Sequence, residues 1–244
     1  MTRGTITLEA LLAPPIAGKK AAAVYSELKR RIMVGRLTHE SPITEQSLAQ
    51  DFSCSQGTIR EVLLCLEREE LVDRRGYQGT FVTKLSEQEA LTFLRLRLAL
   101  ECTAIRQSIP NITPDKMARL RAIASFYANS RTLEDVLVPS EIDRIFHQEL
   151  FSLSGMPALL PTLKRTLLQL HRFTLTKHHG HVIWSDQSWD PHRPILDALE
   201  QGDGDAAEHH LSRHIMSFFT QFASDVLLDE FGSTDATELL RKLA

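Results

Sequence analysis

The stretch SCSQGTIREVLLCLEREELVDRRGYQGTFV, residues Ser53 to Val82, decides how the first third of the chain folds. Ser55 can cap a helix, because its hydroxyl can accept a hydrogen bond from a free N–H group of the first helical turn. Apolar residues then recur at helical spacing, namely Ile59, Val62, Leu63 and Leu66. After Leu71-Val72, a basic turn leads into Gly79-Thr80-Phe81-Val82, which predicts two short strands. A capped helix followed by a basic hairpin is typical of a recognition helix and its wing.

Two shorter helical patterns precede this stretch. In AAAVYSELKRRIM, residues 21–33, the apolar residues Val24, Leu28 and Ile32 lie four apart on one helical stripe. In TEQSLAQDF, Thr44 is a candidate cap for a second helix, and the short link Ser53-Cys54 separates that helix from the next. Three short helices followed by a two-stranded wing predict a winged helix-turn-helix over residues 19–84.

The pattern changes to continuous helix after Lys84. Ser86 and Glu89 form a capping box, and Thr113 with Pro114 marks the start of a further helix. Later helical segments stop at glycines, and no strand pattern occurs among them. The sequence therefore predicts a mainly α protein in which residues 85–230 form an all-α bundle of about six helices. Residues 1–18 are predicted to be a flexible arm and residues 231–244 a C-terminal tail.

Composition and charge limit the classes of protein to consider. The chain has 244 residues, of which 43% are apolar and 24% charged, so it is globular and long enough for one large or two modest domains. The net charge of −3 argues against a wholly basic nucleic-acid binder. Residues 19–84 nevertheless carry 11 Lys and Arg against 9 Asp and Glu, whereas residues 85–244 carry 16 against 21. This asymmetry fits a DNA-contacting module attached to an acidic domain.

The sequence also indicates the cellular compartment in which the protein is located. Three cysteines without a C-x-x-C pair favour reduced thiols over a disulfide framework. No apolar run approaches the roughly 18 residues needed to span a bilayer. The short apolar stretch near the start is interrupted by Glu9, Pro14 and Pro15, which argues against a secretion signal. We therefore expect a cytoplasmic protein with no membrane partner.

Residues Ile43 to Val82 resemble the DNA-binding motif of GntR-type bacterial transcription regulators. The matching positions are Thr44-Glu45, Leu48-Ala49, Ile59-Arg60-Glu61, Leu63, Leu66 and Gly79-Thr80-Phe81-Val82. The helical half that follows is similar to the ligand-sensing FCD domain of the FadR branch, and about six sensor helices favour the VanR-like subgroup. The resemblance implies a homodimer that binds operator DNA and a small organic acid, a carboxylate, as effector.

The resemblance and the physics of groove binding select the same candidate DNA contacts. The first turn of a recognition helix meets base edges and phosphates, and here it holds Ser55, Gln56, Gly57, Thr58 and Arg60. Ser55 and Thr58 can bind phosphates, and Gln56 can read adenine. Arg60 resembles a family arginine that contacts DNA. At the predicted wing tip, Arg74, Arg75 and Gly76 are placed to approach the minor groove.

Two features leave the details of DNA recognition open. The family commonly has arginine at the position of Gln56, and Ser53-Cys54 replaces its usual Gly-Val, so the site that is read can differ from the typical operator. The alternative role for Arg60 is an ion pair with Glu61 or Glu67 on a solvated helix face.

A second set of residues suggests a metal site. Asp143 and His147 are four residues apart, which places them about 40° apart on one helix face. His192 and His214 lie on later segments that a bundle can bring to the same cavity. One carboxylate and three imidazoles suit Zn²⁺, Ni²⁺ or Mn²⁺, with zinc favoured. The resemblance implies the same four, since many FadR-branch sensors carry Asp-x3-His, a His before an I-x-x-A-[LI] helix and a His in the last helix.

Several alternatives remain at this site. His210 competes with His214, because it lies one turn earlier on the same face. The histidines 178, 179 and 181 fall in a loop-like stretch and are interpreted as solvated. Arg97 and Arg172 are candidates to clamp a second anionic group of the effector.

Two other functions are compatible with the metal set. A metal-dependent hydrolase fused to a DNA-binding module would need a general base beside a metal-bound water, but Glu141 and Glu149 are predicted to face away. A DNA-binding dimer whose bundle only dimerises would show no response to ligand. No nucleophile motif or phosphate loop is present in the sequence, so we expect a regulator and not an enzyme.

Overall fold

The computed structural model describes residues 6–76, 79–131, 135–177 and 190–232. A short helix α1 (Leu8–Leu11) precedes α2 (Lys19–Met33), α3 (Glu45–Asp51) and α4 (Gln56–Arg68). The hydroxyl oxygens of Thr44 and Ser55 accept hydrogen bonds from the N–H groups of Ser47 and Thr58, which caps α3 and α4. Both predicted helix starts are therefore confirmed.

The wing follows α4 directly. Strands β1 (Val72–Arg74) and β2 (Thr80–Val82) pair antiparallel, with Val72 opposite Val82. Ile43 forms a further antiparallel bridge to Thr80, which ties the wing to the segment that enters α3. The predicted winged helix-turn-helix is confirmed.

The turn between α3 and α4 contains a strained backbone. Ser53 has a φ of +48°, in the left-handed region that glycine adopts at the lowest cost. This is the position where the GntR-type motif usually has glycine, so the serine keeps the turn but forms it at a higher conformational free energy.

The described part of the second domain contains seven α-helices. They are α5 (Glu87–Ser108), α6 (Pro114–Ser130), α7 (Leu137–Ser152), α8 (Leu160–Lys177), α9 (Arg193–Glu200), α10 (Gly204–Phe222) and α11 (Ser224–Phe231). Short 3-10 helices precede α6 and α8. The capping box of α5 and the threonine cap of α6 are present as predicted. The count exceeds the expected six because Ala223, with φ −145° and ψ 38°, divides the last predicted segment in two.

Helix α8 lies at the centre of the molecule. It packs against α5 and α7 within the bundle and against α2 of the winged domain. Leu168 and Leu175 of α8 are buried in the apolar core of the winged domain, and burial of such a side chain stabilises by about 2 kcal/mol. Gly35 permits the close approach, since a Cβ there would lie 3.0 Å from Thr176 Cγ2 and its φ is +73°. The two domains therefore share a buried interface.

The N-terminal arm, residues 1–18 of the prediction, contacts both domains in its described part. Leu8, Leu11 and Leu12 pack against the core of the bundle, whereas Ile16 packs against the core of the winged domain. Residues 8–16 therefore bridge the two domains. Residues 233–244 of the predicted tail 231–244 and the histidines at 178, 179 and 181 lie outside the described residues. Within the described ranges, no helix is both long and apolar enough to cross a membrane.

Candidate nucleic-acid interface and candidate metal centre

The first turn of α4 presents a polar, accessible surface. Gln56, Gly57 and Arg60 are exposed, and Thr58 is half-buried. The Ser55 hydroxyl caps the Thr58 N–H at 3.1 Å and lies 3.0 Å from the Thr58 hydroxyl, so both hydroxyls are held at the start of the helix. The predicted contact residues of the helix therefore share one accessible end.

Glu45 connects the recognition helix to the wing. Its Oε2 accepts from Arg60 Nη2 at 2.7 Å, and its Oε1 accepts from Arg60 Nε at 3.2 Å and from Arg74 Nη2 at 3.3 Å. The partner of Arg60 is thus neither Glu61 nor Glu67. A planar guanidinium held at two nitrogens has little rotational freedom. Glu45 lies in the motif, but the sequence does not show that it fixes both arginines.

The remaining wing residues are also constrained. Arg75 Nε donates to Asp73 Oδ2 at 2.7 Å, and its guanidinium lies over the Phe81 ring. Gly76 has φ +54°, so it provides the left-handed residue of the tight turn. Arg74 therefore reaches toward the recognition helix through Glu45, whereas Arg75 lies against Asp73 and Phe81 of the wing itself.

The four predicted metal ligands meet in the interior of the bundle. Asp143, His147, His192 and His214 are all buried, and their candidate ligand atoms lie within 4.8 Å of one another. Helix α7 supplies Asp143 and His147, which are 0% to 4% exposed, from one face. His192 immediately precedes α9, and His214 belongs to α10. The fold thus brings together the residues that the sequence pattern selected.

The distances suit a divalent cation. Asp143 Oδ1 lies 3.1 Å from His192 Nε2 and 3.3 Å from His214 Nε2, and His147 Nε2 lies 3.1 Å from His214 Nε2. Adjacent oxygen and nitrogen ligands of one such ion are roughly 3.0–3.4 Å apart, because each lies about 2.1 Å from the metal. Two imidazole nitrogens at 3.1 Å need a proton or a cation between them, so the donor set fits a metal.

Two further residues orient this set, and sequence reasoning missed both. Glu101 Oε2 accepts from His147 Nδ1 at 2.5 Å, which turns Nε2 of the His147 ring toward the cluster. His171 Nε2 lies 3.3 Å from Asp143 Oδ2, and Ser140 hydrogen-bonds His171 Nδ1 at 2.7 Å. Such partners fix the tautomer and orientation of ligands in metal sites. Neither residue has a spacing to the four ligands that the sequence could reveal.

Burial and the neighbouring polar groups together shift the pKa values of the residues in the cluster. Burial raises the pKa of Asp143, but the charge of His147 and hydrogen bonds with the other histidines outweigh it and hold that pKa well below its usual range. Burial lowers the pKa of His192 to about 3 and that of His171 to about 4. Metal ligation requires a carboxylate and neutral imidazoles, and these shifts favour those forms.

The two predicted effector arginines lie in different places. Arg97 on α5 is 2% exposed, and its Nε donates to Glu101 Oε1 at 2.7 Å. Its Nη2 is buried without a hydrogen-bond partner among the described residues. Arg172 points away from the cluster, since its Nη1 donates to the carbonyl and the hydroxyl oxygen of Thr83, both at 2.8 Å. Arg172 therefore lies at the domain junction and not beside the metal cluster, where the effector clamp was expected.

Similarities to known proteins agree with this architecture. Residues 20–82 match the domain of the bacterial regulatory proteins of the gntR family, and residues 92–217 match the FCD domain. The chain belongs to the GntR family of transcriptional regulators. Both matches fall within the domain limits of the structure, with the second covering about half of the chain. It follows that the winged domain binds DNA.

Relatives of this GntR-family chain are regulators. It is 30% identical over 200 residues to the probable D-xylose utilization operon transcriptional repressor of Paenarthrobacter nicotinovorans, covering 81% of this chain and 86% of that protein. It is 24% identical over 195 residues to the transcriptional repressor RspR of Escherichia coli, covering 79% and 84%. The solved structure of E. coli McbR/YncC superposes with a TM-score of 0.66 at 18% identity, covering 86% and 99%, which shows a shared fold. These proteins are not enzymes, and the hydrolase alternative has no support among them.

Proposed function

We propose that this GntR-family regulator binds operator DNA as a homodimer in the cytoplasm and that a small carboxylic acid, bound at the metal centre of the FCD domain, changes its operator affinity. The observation that carries the proposal is the convergence of Asp143, His147, His192 and His214 on one buried point. A divalent metal held there, with zinc favoured, supplies a positive charge that attracts a carboxylate.

Arg97 supplies a second anchor for the acid. Its Nη2 is buried without a hydrogen-bond partner in the described structure, beside the pair formed by Glu101 and His147. A buried cationic donor without an acceptor is costly, and an anion bound beside it would satisfy it. The preferred ligand is therefore a small acid with a second anionic or hydrogen-bond-accepting group.

Neither glutamate considered as a general base for the hydrolase alternative is available to act at the metal cluster. Glu149 Oε1 accepts from Arg119 Nε at 2.6 Å, and Glu141 is paired with Lys29 and Arg144. Both carboxylates are therefore engaged in ion pairs directed away from the buried cluster. This supports a site that binds an acid without turning it over.

A chain of charges connects the metal helix to the recognition helix. Lys29 of α2 lies 3.0 Å from Glu69, which caps the C-terminus of α4, and 3.4 Å from Glu141 of α7. Glu141 is two residues from Asp143, so a shift of α7 on ligand binding changes the contact with Lys29. We propose this network as one route by which the sensor repositions the DNA-binding domain.

The test is a titration of labelled operator with and without saturating acid. An effector acts only through its different affinities for the two arrangements. Coupling of about 1–3 kcal/mol is typical, so we expect operator affinity to change roughly 5- to 150-fold. The matched control is Asp143→Asn, which keeps the size of the side chain and removes its charge and should abolish the response. If an acid that binds at the metal by calorimetry leaves operator affinity unchanged, it is not an effector of this protein.

For the DNA interface, we propose that Ser55, Gln56, Gly57, Thr58 and Arg60 contact the major groove and that Arg74, Arg75 and Gly76 approach the minor groove. Exposed Gln56 stands at the start of α4, where a long side chain meets base edges.

Gln56→Arg is expected to shift the preferred operator toward guanine at one position of each half-site. Glutamine pairs best with adenine and arginine with guanine, and a good bidentate contact discriminates by about 1–3 kcal/mol. Selection from random DNA measures the change. An identical site preference for the variant and the native protein would place Gln56 against the backbone or solvent.

A further inference from the structure

A cavity lies at the junction of the two domains. It has a volume of about 340 Å³, and its walls come from the loop after α2, the end of the wing, the link to α5 and the C-terminal half of α8. None of the four metal-cluster residues lines it. The volume falls at the lower end of the range of roughly 300–1,000 Å³ that is usual for small-molecule sites.

Arg172 provides a buried positive charge in this cavity. Arg172 is 5% exposed. Its guanidinium donates hydrogen bonds to the uncharged carbonyl and hydroxyl oxygens of Thr83. In the described part of the chain, no carboxylate lies within ion-pair distance of its guanidinium. The negative charge of Glu89 attracts the Arg172 guanidinium from a greater distance. That carboxylate accepts its hydrogen bonds from the N–H and hydroxyl groups of Ser86. A buried guanidinium without an adjacent anion is unfavourable, and a bound anion offsets that cost.

Glu40, Lys84 and Lys177 also line the cavity, with Lys177 paired to Glu87 and Asp225, and most of the remaining lining surface is apolar. Its apolar side chains come from both domains, and they are Ile32, Leu37, Val82, Leu85 and Phe173. A fully hydrated inorganic anion would leave this surface in contact with water, whereas an organic anion with an apolar body covers it. The arrangement therefore selects for shape and hydrophobicity as well as for charge.

We propose that the junction cavity binds an organic monocarboxylate with an apolar ring or chain, whose carboxylate pairs with Arg172. This site is separate from the metal centre and does not depend on the function proposed above. Its ligand touches the wing end, the interdomain link and α8 together, so it favours one arrangement of the two domains over others.

Benzoate and octanoate serve as probes, with benzamide and octanamide as neutral matched controls. We expect at least one of the two acids to raise the melting temperature of the full-length protein, both as purified and after treatment with a chelator, while its amide does not. Leu37→Trp fills the cavity and should weaken the binding of that acid by about tenfold or more. Arg172→Met should weaken the binding of that acid to a similar extent. If Arg172→Met does not fold, the result for Leu37→Trp alone tests whether the acid binds in this cavity.

His192→Ala removes a metal-centre residue and should leave this stabilisation intact. The proposal is overturned if neither acid stabilises the protein, if the amides act as well as the acids, or if Leu37→Trp has no effect on binding. It is also overturned if His192→Ala abolishes the effect, because the acid would then occupy the metal centre. The operator titration with a metal-bound acid tests the proposed function independently.

Discussion

Replacing His192 with alanine is expected to remove most of the rise in melting temperature that Zn²⁺ gives the native protein. A ligand that binds only the folded state stabilises it by RT ln(1 + [L]/Kd), which is about 2.7 kcal/mol at a hundredfold excess over Kd. His192 Nε2 lies 3.1 Å from Asp143 Oδ1 in a fully buried position, so no other side chain can take its place without repacking. Thermal unfolding with and without added zinc measures the difference, and His214→Ala should behave in the same way.

His210→Ala is the matched control for the metal experiment. His210 lies one turn before His214 on α10, and both residues line a small outer cavity, but it is the Nε2 atom of His214 that is directed at Asp143. Its removal should leave the zinc-induced stabilisation intact. If His210→Ala abolishes the zinc effect and His214→Ala does not, the ligand assigned to α10 is wrong.

Arg60→Ala is expected to weaken operator binding by more than tenfold. Arg60 is exposed on the first turn of α4 and is held in a defined orientation by two hydrogen bonds to Glu45. Loss of a positioned, charged contact is expected to cost more binding free energy than the ~1 kcal/mol that separates minor contacts at the rim of an interface from major ones. Fluorescence anisotropy with labelled operator measures the affinity, and circular dichroism checks that the fold is retained.

Arg68→Ala provides the comparison for Arg60. Arg68 is exposed on the same helix but belongs to its last turn, so the variant removes the same charge far from the end that enters the groove. Its effect on operator affinity should be much smaller. Equal losses in the two variants would mean that α4 contributes only general positive charge, and unchanged affinity in Arg60→Ala would remove the helix from the role assigned to it.

Local patterns in the sequence were sufficient for the winged domain and for most helix boundaries. The caps at Thr44, Ser55 and Ser86 depend on side chains that satisfy N–H groups within three residues, so they can be identified without knowledge of the fold. Asp143 and His147 could likewise be paired, because their spacing places them on one helical face. His192 and His214 required the resemblance to a family as well.

The residues that the sequence could not place depend on contacts between distant segments. His171 lies among the apolar residues of α8, and only the packing of α7 against α8 brings it to Asp143. The sequence places Arg172 with the metal site, whereas its side chain reaches Thr83 across the domain interface. The bracing role of Glu45 depends on how α3, α4 and the wing fold together. Periodicity predicts which face of a helix is buried, but it does not identify the partner on the other side.

The order of His171 and Arg172 along α8 restricts how this protein can change during evolution. One of these neighbours faces the metal cluster and the other faces the domain junction. Insertion or deletion of a single residue earlier in α8 would rotate both side chains by about 100° about the helix axis. Such a change would misplace both residues at once, whereas a point substitution can alter either one alone. Functional descendants of this chain should therefore diversify along α8 by substitution, with its length before His171 kept constant.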